Sequence, residues 1–184
     1  ALRLWLRQRS VHGPQELNAP LYPPDMIEAM RGTEGYSATC GLFSVAYAGL
    51  LLALDIPVRL VHVYPLSDGR SLNSHTFNEV WSDDLQKWVV EDVDKDIYWV
   101  GVDGVARSAL EIQHDIMSGD MPEDDRCTPM IDADRAPSTS PGLEGFFYHL
   151  VVSLQSNFFT ASGETYLGRQ QGFLYHLIRT EESE

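Results

Sequence analysis

Residues 39–57 read TCGLFSVAYAGLLLALDIP. Leu42, Phe43, Val45, Ala46, Tyr47, Leu50, Leu51, Leu52 and Leu54 surround this segment instead of forming a stripe, and a helix apolar on all sides is buried on all sides. The apolar part is too short to cross a bilayer, which takes roughly 20 residues. A buried central helix over about Cys40 to Leu54 is therefore expected, ended by Asp55-Ile56-Pro57 because Pro57 disfavours helical geometry at Ile56. Cys40 stands where the loop Gly35-Tyr36-Ser37-Ala38-Thr39 becomes that helix. The unpaired N–H groups and the positive dipole end at a helix start favour thiolate over thiol, and the thiolate is the nucleophile. A lone cysteine also serves as a small apolar side chain, so its position alone leaves both roles open.

Working outward, Leu2 to Arg9 mixes Leu2, Leu4, Trp5 and Leu6 with Arg3, Arg7 and Arg9, the pattern of a short amphipathic helix docked on the body. Residues 10–24 read as loop, with four prolines. Pro24-Asp25 opens a helix to Arg31, which Gly32 stops. Downstream of the central helix, Val58 to Tyr64 reads as a strand. His75 to Trp81 and Trp88 to Val93 form a hairpin about the polar turn 82–87. Ser108-Ala109-Leu110-Glu111 is a capping box, so a helix runs to about Met117 with Gly119 beyond its end. Residues 119–145 are rich in Asp, Pro, Ser and Gly and read as a long acidic surface loop, and Phe146 to Leu154 and Gly172 to Ile178 as closing strands. Helices followed by mostly antiparallel strands give an α+β layout. At 184 residues the chain is expected to form one domain over 1–184, with its core at about 25–100.

Composition narrows the function classes. Apolar residues make up 43% and charged residues 22%, which excludes collagen-like and wholly disordered classes. The net charge of −14 argues against nucleic acid and anionic membranes as partners, since both are polyanions. Two cysteines, Cys40 and Cys127, build no disulfide scaffold. No secretory leader is read in the opening residues, and compartment and oligomeric state stay open. The chain has neither a Walker loop nor G-x-G-x-x-G, and His12, His62, His114, His149 and His176 form no metal motif and read as structural. The acidic cluster Asp120, Glu123, Asp124, Asp125, Asp132 and Asp134 fits no EF-hand spacing and reads as a solvated loop, so no metal and no cofactor are expected.

The hairpin carries the second half of the chemistry. If its turn is centred between Asp84 and Leu85, Phe77 faces Asp92 across the pair. His75, two residues from Phe77, shares that face and becomes a diagonal neighbour of Asp92. A carboxylate there holds one imidazole nitrogen and leaves the other for a thiol. A one-residue slip would separate the two onto opposite faces.

Several stretches together resemble the transglutaminase-like superfamily of papain-fold cysteine enzymes. They are Cys40-Gly41-Leu42-Phe43 opening an apolar helix, Asp55-Ile56-Pro57-Val58-Arg59 after it, His75-Thr76-Phe77-Asn78-Glu79-Val80-Trp81, and Lys87-Trp88-Val89-Val90-Glu91-Asp92. The resemblance implies a papain-like core, with the Cys40 helix packed on an antiparallel sheet that carries His75 and Asp92. It implies Cys40 as nucleophile, His75 as base and acid, and Asp92 as its orienter, with no cofactor and with a protein or peptide substrate. Asp55 stands where a Gly is usual and Ala38 where many members have Gly. No Gln or Trp marks the usual oxyanion-hole donor, for which Tyr36 is a candidate by proximity and the backbone N–H of Cys40 another. The expected reaction is hydrolysis of a peptide or related amide through a thioester. Protein-glutamine γ-glutamyl transfer and a non-catalytic binding module on the same fold remain alternatives.

Overall fold

The computed structural model describes residues 2–14, 20, 23–64, 74–119, 128–129, 147, 149–153 and 175–179. Its elements, in chain order, are α1 (Leu2–Arg9), β1 (Ser10–His12), α2 (Pro23–Gly32), β2 (Tyr36–Ala38), α3 (Cys40–Leu52), β3 (Val58–Tyr64), β4 (His75–Ser82), β5 (Lys87–Glu91), β6 (Ile97–Tyr98), α4 (Ala109–Ser118), β7 (Thr128–Pro129), β8 (His149–Ser153) and β9 (Tyr175–Arg179). Five strands form one antiparallel sheet in the order β5-β4-β3-β8-β9. The fold is α+β.

Helix α3 is the hub. Thr39 caps it, its hydroxyl accepting the Leu42 N–H at 3.4 Å. Every residue from Leu42 to Gly49 is buried, as an all-round apolar helix requires. The helix ends at Leu52, and Asp55 takes a left-handed φ of 57°. That conformation favours glycine but tolerates aspartate, which explains how Asp55 can stand in this turn. One flank of α3 meets Leu6 of α1 and Met26 and Met30 of α2, and the other meets Val58, Leu60 and Val80 of the sheet.

The sheet is covered on both faces. Even-numbered residues of β3 and β4 face α3, whereas Val61, Val63 and Phe77 face a second cluster with Val90, Ile97, Trp99, Ala109 and Ile112. Two-sided burial explains why β3 reads as a nearly unbroken apolar run and not as an alternation. Helix α4 starts with the expected capping box of Ser108 and Glu111 and ends at Gly119, whose φ of 72° suits a residue without Cβ. Arg59 and Glu79, directly opposite each other on β3 and β4, form an ion pair at 2.6 Å. Glu79 also accepts the Ala109 N–H at 2.7 Å, which ties α4 to the sheet.

Two segments expected as loops contain strands instead. Ser10–His12 pairs in parallel with Tyr36–Ala38, so β1 and β2 form a ribbon beside the start of α3. Ile97–Tyr98 pairs with Thr128–Pro129 inside the 119–145 stretch. Strands of two or three residues carry too few side chains to show a period. The acidic residues Asp120, Glu123, Asp124, Asp125, Asp132 and Asp134, with Cys127, lie outside the described residues. Among the described residues no helix is long and apolar enough to cross a membrane.

Candidate active site

The hairpin register is the one centred between Asp84 and Leu85: Ser82 pairs with Lys87 and Asn78 with Glu91. Strand β5 stops at Glu91, one residue before Asp92. β4 continues past that point to His75, so its first residues overhang the sheet edge. Trp81 donates its N–H to Pro57 on the β3 side, so Thr76, odd against even, turns its backbone groups to the side that β5 has left. Helix α3 fills that gap. The Ser44 hydroxyl lies 3.0 Å from the Thr76 carbonyl, Asn78 donates to the Ser44 carbonyl at 3.0 Å, and Cys40 takes the Thr76 N–H. The ending of one strand thus brings the helix start against the beginning of its neighbour.

Cys40, His75 and Asp92 meet there. Cys40 is half-buried and a free thiol, and it hydrogen-bonds the His75 ring. His75 is buried against Phe77, with ring centroids 6.1 Å apart. Its Nε2 lies 2.5 Å from Asp92 Oδ2, which leaves Nδ1 for the thiol. Asp92 is fully buried, and its Oδ1 accepts the Lys95 N–H at 3.0 Å.

Electrostatics follow from this geometry. Burial alone pushes the His75 ring down, but the Asp92 charge, the Asp92 hydrogen bond and the Cys40 sulfur outweigh it and hold the ring up to about 10. Burial pushes the Cys40 thiol up, and the His75 hydrogen bond and charge with the Thr76 N–H more than reverse this, leaving it below the ordinary thiol value. Both shifts favour a thiolate–imidazolium pair. The buried Asp94 carboxylate works against the thiolate.

Tyr36 is buried on β2 within the apolar cluster around α3. The histidines read as structural divide. His62 is largely buried beside Thr76 Oγ1 at 2.9 Å, and burial holds it down at about 4. His114 is exposed next to Asp115. His12 sits 2.7 Å from Asp94 Oδ1, a second histidine–aspartate pair close to the first. Among the described residues no group of three or more His, Cys, Asp or Glu side chains is arranged to hold a metal ion. Sequence reasoning missed Ser44 and Asn78. Ser44 is a polar residue in an otherwise apolar helix, and that is the signal that marks it, whereas Asn78 lies in a mixed strand that carries no such signal.

The description "Transglutaminase-like superfamily" matches residues 1–93, just over half of the chain. No curated protein matches the chain. A solved structure, that of a candidate cysteine protease from Cytophaga hutchinsonii, is similar at 18% identity and a TM-score of 0.40. The alignment covers 57% of this chain and 32% of that one, so the chain spans about a third of that protein's length. The family match runs from α1 to just past Asp92 and takes in the Cys40 helix and the His75–Asp92 hairpin, and on it the chain belongs to the transglutaminase-like superfamily.

Proposed function

We propose that the protein is a cysteine-dependent acyl-transfer enzyme that hydrolyses a peptide or related amide. The observation that carries this reading is the continuous hydrogen-bonded line from the Cys40 thiol through His75 to Asp92.

In this reading the Cys40 thiolate attacks the acyl carbonyl, forming a C–S bond while the carbonyl π electrons move to oxygen. The oxyanion takes a hydrogen bond from the backbone N–H of Cys40, one of the helix-start N–H groups without an intrahelical partner. Tyr36, sunk in the apolar cluster, suits that task less well. The tetrahedral intermediate collapses, the C–N bond breaks, and His75 gives its Nδ1 proton to the departing amine. Water then loses a proton to His75 as its oxygen attacks the thioester, and the C–S bond breaks to release the acid and regenerate the thiolate–imidazolium pair. Asp92 keeps the ring oriented and stabilises its cation throughout.

The test is the rate of iodoacetamide labelling against pH, with Cys40 and Cys127 resolved by peptide mass spectrometry, in wild type and His75→Ala. Fast Cys40 labelling well below the free-thiol pKa of about 8.5, lost in His75→Ala, is expected. A Cys40 equally inert in both proteins refutes the enzyme reading. Incubation of the active protein with peptide amides, with and without a fluorescent primary amine, then separates hydrolysis from amine transfer.

A further inference from the structure

Asp92 does not sit on a strand. It opens a tight loop closed by two backbone hydrogen bonds, Asp92 N–H to the Ile97 carbonyl at 2.9 Å and Ile97 N–H to the Asp92 carbonyl at 3.0 Å. Inside the loop Val93 is buried in the α3 cluster and Asp96 adopts a left-handed φ of 57°. A carboxylate on a loop is aimed only as well as the loop is held.

What holds this loop from outside is the beginning of the chain. Arg3 is buried although α1 has a solvent face available to it. Its Nη1 donates to the Ile97 carbonyl at 3.3 Å, the same carbonyl that closes the Asp92 loop, and its Nε pairs with Asp96 Oδ1 at 3.2 Å. Arg3 also feels the charges of Glu91 and Asp92, and Glu91 in turn accepts the Tyr47 hydroxyl of α3. Nine residues on, His12 of β1 pairs with the fully buried Asp94 side chain at 2.7 Å. Lys95 contacts Asp94 from within the loop at 3.2 Å. Burying a guanidinium is costly, and here one hydrogen bond from Nη1 and the ion pair to Asp96 offset it while Nη2 finds no hydrogen-bond partner among the described residues, so Arg3 is weak evidence for stability.

We infer that the segment α1–β1 is a clamp on the Asp92 loop, with Arg3 and His12 as positioning residues that aim the Asp92 carboxylate at His75. The inference rests on the triad reading above and adds residues that lie outside the triad. Arg3 braces the closing bridge and Asp96, His12 braces Asp94, and Lys95 N–H, carried between them, fixes Asp92 Oδ1.

The experiment is the pH profile of Cys40 alkylation in the full chain for Arg3→Met, Arg3→Lys, the double variant D96N/H12A, and Asp92→Asn as reference. Arg3→Met keeps bulk and removes both contacts. Arg3→Lys keeps charge without the rigid fork. Asn tolerates the left-handed backbone at position 96, and His12 is about half exposed, its side chain 53% accessible, so the double variant spares the core. A clamp predicts that Arg3→Met and D96N/H12A each move the acid midpoint of alkylation up by about one pH unit, a tenfold loss of rate below it, with Arg3→Lys in between. A purely structural Arg3 would lower the Tm and leave that midpoint in place. If Arg3→Met does not fold, D96N/H12A decides. Unchanged midpoints in the folded clamp variants, with a shift in Asp92→Asn, overturn the clamp and leave the triad standing. An unchanged profile in Asp92→Asn removes the triad and the clamp together.

Discussion

Replacing Asp92 by Asn tests charge and proton placement at one atom. The structure fixes how the new amide must lie. Oδ1 of residue 92 accepts the Lys95 N–H at 3.0 Å, so the amide nitrogen has to take the Oδ2 position facing His75 Nε2. An NH2 donor there demands a lone pair on Nε2, which moves the ring proton to Nδ1, the nitrogen facing Cys40. The ring then has no basic nitrogen for the thiol. The lost charge adds to this. With Nε2 and Oδ2 2.5 Å apart, the charge centres lie about 4 Å apart, worth about 4 kcal/mol at an effective dielectric of 20. At 1.36 kcal/mol per unit that is about 3 pKa units, in the direction in which Asp92 raises the His75 ring against the pull of burial. The equilibrium from thiol–imidazole to thiolate–imidazolium should fall by up to about 10³-fold, and Cys40 alkylation at pH 6 by at least about tenfold. The profile should also revert to one thiol ionisation near 8.5. Iodoacetamide labelling read by peptide mass spectrometry measures this, with Cys127 as reference in the same digest. Alkylation within threefold of wild type from pH 5 to 9 would refute both the charge and the tautomer reasoning.

Three other outcomes follow from the same geometry. Phe77→Ala, at a fully buried ring against His75, Trp99 and Phe147, should cost about 3–5 kcal/mol in urea unfolding and slow Cys40 alkylation as the His75 ring loses its wall; a loss under 1 kcal/mol would show that the site repacks. Ser108→Ala removes the hydroxyl that accepts the Glu111 N–H, and should cost about 1 kcal/mol while leaving the alkylation profile unmoved. His62 is held at about 4 in the folded protein against 6.5 when free, so the unfolded chain binds more protons between those values and stability falls as pH drops from about 6.5 to about 4. The full loss is about 3 kcal/mol, and His62→Gln should remove it, read as a smaller Tm difference between pH 7 and pH 4.5 than in wild type. Equal differences in the two proteins would count against a buried neutral His62.

The parts of the site that sequence made legible are those governed by local rules. The α3 helix announces itself by unbroken apolar character, and the β4–β5 register follows from a turn of fixed length, which is enough to bring His75 and Asp92 to one face. The α4 start is written in Ser108 and Glu111. The ribbons of β1 with β2 and β6 with β7 were not legible, because each joins segments that are far apart in sequence and too short to show a period. Arg3 was hidden for another reason. Arginine is expected at the surface, and nothing in Leu2 to Arg9 distinguishes the one arginine that meets Asp96 from its neighbours. Tyr36, a candidate by nearness in sequence to Cys40, is buried on β2 in the cluster around α3.

Motif residues outside the candidate triad explain how its strand is held in place. Arg59 and Glu79 face each other across β3 and β4 at 2.6 Å, and Arg59 lies over the Trp88 ring, 4.4 Å from its centroid. Those three residues come from the neighbouring strands β3, β4 and β5. A slip of one residue between β3 and β4 would send Glu79 to the opposite face, away from the partly buried Arg59, and leave the buried Glu79 carboxylate without its cation, which costs several kcal/mol. Glu79 also accepts the first N–H of α4, so the slip would leave that N–H without its partner as well. One ion pair therefore holds β4, the strand that begins at His75, in a single alignment against β3 and so in a single facing toward α3, while the separate β4–β5 register sets His75 against Asp92.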